Sequence, residues 1–432
     1  MATQIGYKSS ELGMIPQDWE VEELGTVAKV EMCRRIFKNE TLNVGDIPFY
    51  KIGTFGGEAD AYISRQLFEE YKSKYPYPKI GDVLISAAGT IGRVVVFDGE
   101  EAYYQDSNIV WLNINKAKIS NSFLYYFYQY TEWNSLEGST IKRLYNNDLL
   151  SKKIAIPKST TEQTAIATAL SDTDELISSL QTLIVKKKVI KLSAMQNLLS
   201  GKIRLPEFAQ RPDGSPKTTR QTELGCVPED WKIGTIGKDC VLKARIGWQS
   251  LRTDEYLENG EYGLITGTDF NNGLVNWKTC SFVSEWRYKQ DTNIQLKVKD
   301  VLITKDGTIG KLGYINELPF SATLNSGIYV VRPKNSNLIE PMFLFYLFSS
   351  EYFNNFISVI SAGSTITHLY QKDFVNFQFP LPSKTEQTAI SQLLSDMDAE
   401  IEALEGRLKK TQALKQGMMQ ALLTGKIRLP LE

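Results

Sequence analysis

The chain has 432 residues, enough for two or three domains, and 42% of them are hydrophobic, so it can bury an ample core. Its 49 basic residues balance 50 acidic ones, which excludes a global polycation; binding to nucleic acid would need local basic surface or help from a partner. The four cysteines (Cys33, Cys226, Cys240, Cys280) lack CxxC spacing and His368 is the single histidine, which argues against a zinc site. With no signal peptide, transmembrane run or lipidation motif, a cytoplasmic chain with free thiols and no membrane partner is expected.

The N-terminal stretch ELGMIPQDWEVEELG (Glu11 to Gly25) returns as ELGCVPEDWKIGTIG (Glu223 to Gly237), 212 positions on, so the chain is two copies of one module. Each copy opens on a Pro-x-Asp-Trp turn in which Trp19 or Trp231 is expected to pack as a structural anchor. A variable region of short strands and loops follows, with basic and aromatic residues interleaved. That mixture suits DNA, because cations meet phosphates while Arg, Lys, Asn and Gln read base edges, but a solvated surface has the same composition.

The copies converge again at GDVLISAAGTIGRVVVFD (Gly81 to Asp98) and KDVLITKDGTIGKLGYIN (Lys299 to Asn316), which read as strand, tight turn, strand. Neither completes a phosphate-binding GxxxxGK[ST] or GxGxxG loop. The turn is read as framework, although Ser86, Arg93, Lys305 and Lys311 could reach a backbone phosphate. A short apolar helix, the loops GSTIKRLYNNDL (Gly138 to Leu149) and GSTITHLYQKDF (Gly363 to Phe374), and a strand ending in proline complete each module.

Each module then runs into a long helix, Ser159 to Leu205 or Ser383 to Leu429, matched without a gap at a shift of 224. Ser159 with Glu162, and Ser383 with Glu386, fit a capping box, and Gly201 and Gly425 fit the left-handed position that closes a helix. Such a helix would be about 60 Å long. Met397, Ile401, Leu404, Leu408, Thr411, Lys415, Met418 and Leu422 alternate spacings of four and three, as do Thr173, Ile177, Leu180, Ile184, Lys187, Lys191, Ala194 and Leu198. These are coiled-coil seams whose polar middles would help fix register. Between the modules, Pro206 to Gln221 reads as an exposed linker.

Two irregular modules, each followed by a long helix ending in LLSGKIRLP or LLTGKIRLP, resemble the specificity subunit of type I restriction–modification systems. The IPQDW and VPEDW openings, the GTIG and GSTI segments and the TEQTAI helix starts carry the resemblance, which covers essentially the whole chain. It implies an α+β fold: two similar target recognition domains of irregular mixed sheet with short helices, separated by a pair of long antiparallel coiled-coil helices with an internal pseudo-two-fold repeat. The expected divisions are domain 1 at residues 1–158, helix 1 at 159–205, a linker at 206–221, domain 2 at 222–382, and helix 2 with its tail at 383–432.

The resemblance further implies that each domain reads one half of a split double-stranded DNA target, while the helices set the spacer and dock two methyltransferase subunits. ATP-dependent restriction subunits would join for cleavage. No cofactor and no catalytic residue are expected: there is no Asn-Pro-Pro-aromatic or Asp-Pro-Pro-aromatic motif, DIPFY (Asp46 to Tyr50) breaks that pattern, and there is no nucleotide loop. The alternative is a twin-module protein scaffold that does not bind DNA.

If the half-sites differ, base readers should differ between the copies while framework and phosphate contacts are shared. The candidate DNA contacts are then Arg34, Arg35, Lys38, Lys51, Arg65, Lys72, Lys74, Lys142 and Arg143 in the first copy. In the second they are Lys243, Arg245, Gln249, Arg252, Lys278, Arg287, Thr367 and His368.

Overall fold

The structure is a computed structural model, and it describes residues 6–133, 143–246, 251–361 and 368–430. The chain divides into two compact units, one formed by residues 1–182 with 405–432 and the other by residues 183–404. Each unit therefore holds one module, the start of the long helix that follows it and the end of the other long helix.

The two modules share a topology. In the first, strands Ala28–Glu31, Ile109–Ile114, Val83–Ser86 and Val94–Val96 form an antiparallel sheet in that order. A second sheet orders Tyr62–Ile63, Ile47–Tyr50 and Tyr103–Tyr104, the last pair parallel. In the second module Cys240–Lys243, Ile328–Pro333, Val301–Thr304 and Leu312–Tyr314 repeat the first sheet, extended by Leu274–Val275 and Phe270–Asn271. Ser281–Val283, Tyr262–Ile265 and Ala322–Leu324 repeat the other sheet, again with one parallel pair. Inner strands such as Val83–Ser86 and Val301–Thr304 are buried at every residue, which explains their unbroken apolar character.

The long helices run over Thr160–Ser200 and Lys384–Leu422. Every seam position in both is buried or half-buried, whereas most of their neighbours face solvent. Within the second unit Lys187 pairs with Glu400 at 2.7 Å and Lys191 with Asp398, so one helix advances as the other recedes and the pair is antiparallel. Within the first unit Lys415 pairs with Asp174 at 2.6 Å and Arg428 with Glu162 at 2.6 Å, in the same sense. The polar seam lysines thus meet carboxylates of the facing helix.

Only half of each expected capping box forms. The Glu162 and Glu386 amides donate to the Ser159 and Ser383 hydroxyls at 3.4 and 3.3 Å. Their carboxylates turn instead to an arginine from the facing helix's end. Arg428 places Nε and one Nη on Glu162 at 2.6 Å each and its other edge on Asp18. Arg204 repeats this with Glu386 and Asp230. Burial in the core makes a bidentate charged partner a stronger claim on Glu162 than a backbone amide. The hydrogen bonds to Glu162 hold the Arg428 guanidinium above its ordinary pKa.

The helix-closing glycines are required twice over. Gly201 has φ of +70° and Gly425 of +68°, and a Cβ at Gly201 would lie 2.5 Å from the Pro228 ring, as one at Gly425 would press on Pro16. The proline and tryptophan of each opening turn therefore pack on a helix end, and Trp19 and Trp231 are both fully buried. The expected linker is partly ordered structure: Pro206–Ala209 is a helical turn, and Thr219–Thr222 pairs with Gly225–Pro228. Among the described residues no helix is long and apolar enough to cross a membrane.

Replacing Arg428 with Ala would leave Glu162, 1% exposed, without its cation. The expected loss is about 3 to 5 kcal/mol, read by chemical denaturation of the full chain. Arg407→Ala, on an exposed helix face, should stay within about 0.5 kcal/mol. Equal losses from both variants would dismiss the clamp.

Candidate nucleic-acid interface

The Gly-Thr-Ile-Gly turns are built alike in both modules. Ser86 donates to the Thr90 carbonyl at 2.5 Å and accepts from the Arg93 amide at 2.8 Å; Thr304 donates to the Thr308 carbonyl at 2.5 Å and accepts from the Lys311 amide at 2.9 Å. A hydroxyl at the strand's end thus folds the turn back on itself. Arg93 then reaches the Phe55 carbonyl at 2.6 Å and Lys311 the Gly267 carbonyl at 2.9 Å. Ser86, Arg93 and Lys311 are engaged in framework, and Lys305 lies over the Tyr329 ring at 5.3 Å.

In the first module the expected contacts fall into two groups. Arg34, Arg35 and Lys38 follow the edge strand Ala28–Glu31 and are exposed. Arg34 stands 5.3 Å over the Tyr75 ring, and Arg35 pairs with Asp106 at 2.9 Å. Together with Phe37 they border a cleft of about 510 Å³. Burial pushes the Cys33 thiol, which also borders this cleft, up to about 12. The second group is ion-paired: Lys51 with Asp60, Arg65 and Lys72 with Glu101, and Lys74 with Glu70. These last three lie on the helix Arg65–Lys74, which Ser64 caps through the Leu67 amide. Such solvent-exposed pairs are weak, so a phosphate can displace the carboxylate at little cost. Arg143 donates to the Ser107 carbonyl at 3.0 Å and closes a bridge to Ala88, which ties it to the turn framework.

In the second module Lys243, Arg252 and Lys278 are exposed. Arg287 is clamped by Glu255 at 2.5 Å and lies 4.8 Å over the exposed Trp286 ring. The backbone amide of Arg252, then Arg287, holds the Glu255 carboxyl below its ordinary pKa. His368 contacts Asp306 of the turn, and its ring lies 4.4 Å from that of Tyr370, tilted by 53°. Arg245 is corrected from a surface contact to a core residue. It is 2% exposed, and its guanidinium donates to the Leu324 carbonyl at 2.8 Å and the Thr323 hydroxyl at 3.2 Å. Burial lowers its pKa, and one of its Nη atoms has no partner. Lys142, Gln249 and Thr367 lie outside the described residues. Among the described residues no group of three His, Cys, Asp or Glu side chains could hold a metal ion.

Two sets of positioning residues escaped the sequence reading. In TEQTAI the glutamine is the stitch between module and helix. Gln163 donates to the carbonyls of Lys118 and Pro157 and accepts from the Ser120 amide. Gln387 does the same with Leu338, Pro382 and the Glu340 amide. The second set fastens each module's apolar helix to the seam. Tyr126 donates to Asp174 at 3.1 Å while Lys415 pairs with Asp174 and lies 5.6 Å over the Tyr126 ring. Tyr346, Asp398 and Lys191 repeat this arrangement. Burial, then the neighbouring Asp174, raises the Tyr126 phenol, so it stays a donor. Each set recurs at matching positions of both copies, and that recurrence was the available signal.

Arg245→Ala should destabilise the full chain by about 2 to 4 kcal/mol, through a cavity and the loss of its bonds to one carbonyl and one hydroxyl, whereas Arg252→Ala should leave the melting temperature unchanged. A neutral Arg245→Ala in thermal unfolding would return this residue to the surface list.

Comparison with known proteins extends these observations. The family model for the type I restriction modification DNA specificity domain matches residues 16–187 and again 228–413. A putative type I restriction enzyme specificity subunit of Haemophilus influenzae is 52% identical over 177 residues, which span 41% of this chain and 46% of that protein. The putative MjaX specificity subunit of Methanocaldococcus jannaschii is 28% identical over 98% of this chain and 97% of its own. The crystal structure of a type I restriction–modification S subunit from M. genitalium shares the fold, with a TM-score of 0.57 at 17% identity over 94% of this chain and 96% of that one. With the domain matched twice over most of its length, this chain belongs to the type I restriction modification DNA specificity domain family.

Proposed function

We propose that this chain is the sequence-reading subunit of a type I restriction–modification complex. Residues 1–158 and 222–382 each read one half of a split double-stranded target. The helices within 159–205 and 383–432 set the spacer and dock two methyltransferase subunits, and ATP-dependent restriction subunits join for cleavage. The observation that carries this reading is a framework repeated bond for bond, in the Gly-Thr-Ile-Gly turns, the glutamine stitches and the arginine clamps, around loops whose chemistry differs between copies. A shared frame with divergent surfaces is what two different half-sites require. The scaffold alternative has no support from the family or the relatives. The chain itself is proposed to be non-catalytic, and Arg34, Arg35, Lys38, Lys243, Arg252 and Lys278 are the cations most available to DNA.

The direct test is titration of target DNA with the chain and its methyltransferase subunit at several salt concentrations. Log affinity should fall linearly with log salt. Lys38→Ala and Lys278→Ala should each reduce the slope by about 1 if they meet phosphates, with the methylated sequence unchanged. Salt-independent binding, or none, would sink the reading. The chain alone should transfer no methyl group.

The helices supply a second test. Seven residues inserted between Thr182 and Leu183, and seven between Leu404 and Glu405, preserve the four-three seam and leave both compact units whole. The insertion adds about 10 Å of helix at 1.5 Å per residue, or about three base pairs at 3.4 Å each. Genome-wide methylation in cells carrying this variant should show the same half-sites at a longer spacer and reduced efficiency. An unchanged spacer at full activity would mean that the helices do not set the distance.

A further inference from the structure

We infer that the cleft beside Arg34 and Arg35 receives a single unstacked nucleobase, so that the first module reads part of its half-site on a base drawn out of the duplex. This rests on the DNA-reading function proposed above. The cleft's volume of about 510 Å³ falls within the ~300–1,000 Å³ typical of small-ligand sites. Its rim carries two aromatic rings in solvent, Phe37 at 56% exposure and Tyr75 at 38%. Tyr75 is braced edge-on by Tyr71 at 5.5 Å.

Stacked base pairs offer a protein only their edges in the grooves. An exposed ring gains from a base when it meets the base's face, and that face is open only in an unstacked nucleotide. Arg34, exposed and held over Tyr75, stands where the flanking phosphate of such a nucleotide would need a cation. The Arg35–Asp106 pair, which also lines the cleft, is joined through Nε and one carboxylate oxygen, Oδ2. The pair thus brings guanidinium donors and a carboxylate acceptor to the same cleft, the two kinds of group that a base's pairing edge engages.

The second copy departs at this same place. Cys33 lies five residues beyond Ala28, the first residue of its edge strand, as Arg245 lies five beyond Cys240. In that module the long Arg245 side chain fills the equivalent position and bonds to Thr323 and Leu324. The receptor is thus proposed for the first half-site alone.

The test uses the full chain with its methyltransferase subunit and a duplex whose target is taken from the methylated positions of the source genome. An abasic site is moved one position at a time through both strands of the first half-site, and affinity is measured by fluorescence anisotropy. Removing the partner of a base that must leave the stack lowers the cost of extrusion. One abasic position should therefore tighten binding about ten-fold, and Tyr75→Ala should abolish that gain while Tyr75→Phe keeps it. If the intact target binds with normal salt dependence but no abasic position tightens binding, the receptor is wrong and the DNA-reading function stands. A gain that survives both Tyr75→Ala and Arg35→Ala comes from extrusion elsewhere, and if it is the sole gain it also overturns the receptor. Absence of any binding to the intact target rejects the underlying function.

Discussion

The buried arginine–glutamate clamp is the constraint on which each half of this protein depends. Glu162 and Glu386 are 1% exposed, and a carboxylate so placed is tolerable only with a charged, hydrogen-bonded partner. That partner comes from the last residues of the other long helix, Arg428 or Arg204, whose free edge takes the aspartate of the opening turn. One guanidinium therefore joins three segments that are far apart in sequence: a module's first turn, the start of its own helix and the end of the other. The closing glycine makes the approach possible, because the helix end must press against the proline of that turn. The symmetry is not complete, since the Trp231 indole donates to Glu386 at 3.0 Å whereas the Trp19 indole nitrogen has no partner.

From this clamp the rest of each unit follows as a series of orientational restraints. The glutamine beside the clamped glutamate commits both of its amide donors and its carbonyl oxygen to module backbone. One turn or more along the helix, the Tyr–Asp–Lys sets repeat the restraint with a phenol from the module and a lysine from the seam. Apolar burial alone would hold the helices together but would tolerate sliding, because hydrophobic contact has little direction. Hydrogen bonds at these three levels, charged in the clamp and in the Tyr–Asp–Lys set, fix both rotation and register.

Much of this was legible in the sequence because it is periodic or duplicated. The long helices declared themselves through the four-three seam, and the modules through the repeated tryptophan turn and Gly-Thr-Ile-Gly segment. What was not legible depended on distance in sequence. The capping box at Ser159 and Glu162 is a sound local motif, yet only its serine half forms, because Arg428, 266 residues away, outcompetes the local amide. Arg245 looked like any loop cation, and only the position of strand Ala322–Leu324 shows that it is buried. The environment of the other cations is likewise set by tertiary contact, since the ion pair of Arg65 joins a helix to a distant loop residue, Glu101.

The exchange of Cys33 for Arg245 shows how one frame can carry two surfaces. Both positions lie in the same short run after the edge strand of their module, and both are buried. In the first module a small thiol borders a cleft, whereas in the second a long guanidinium donates to the strand Ala322–Leu324. The two positions differ in side-chain volume within a core packed too closely to ignore it. Because, among the described residues, the hydrogen bonds of clamps, stitches and turns do not involve Cys33 or Arg245, surface chemistry can change without loss of the restraints that hold each module to its helices. Separation of the two sets of residues lets the loops diverge while the helices keep their register.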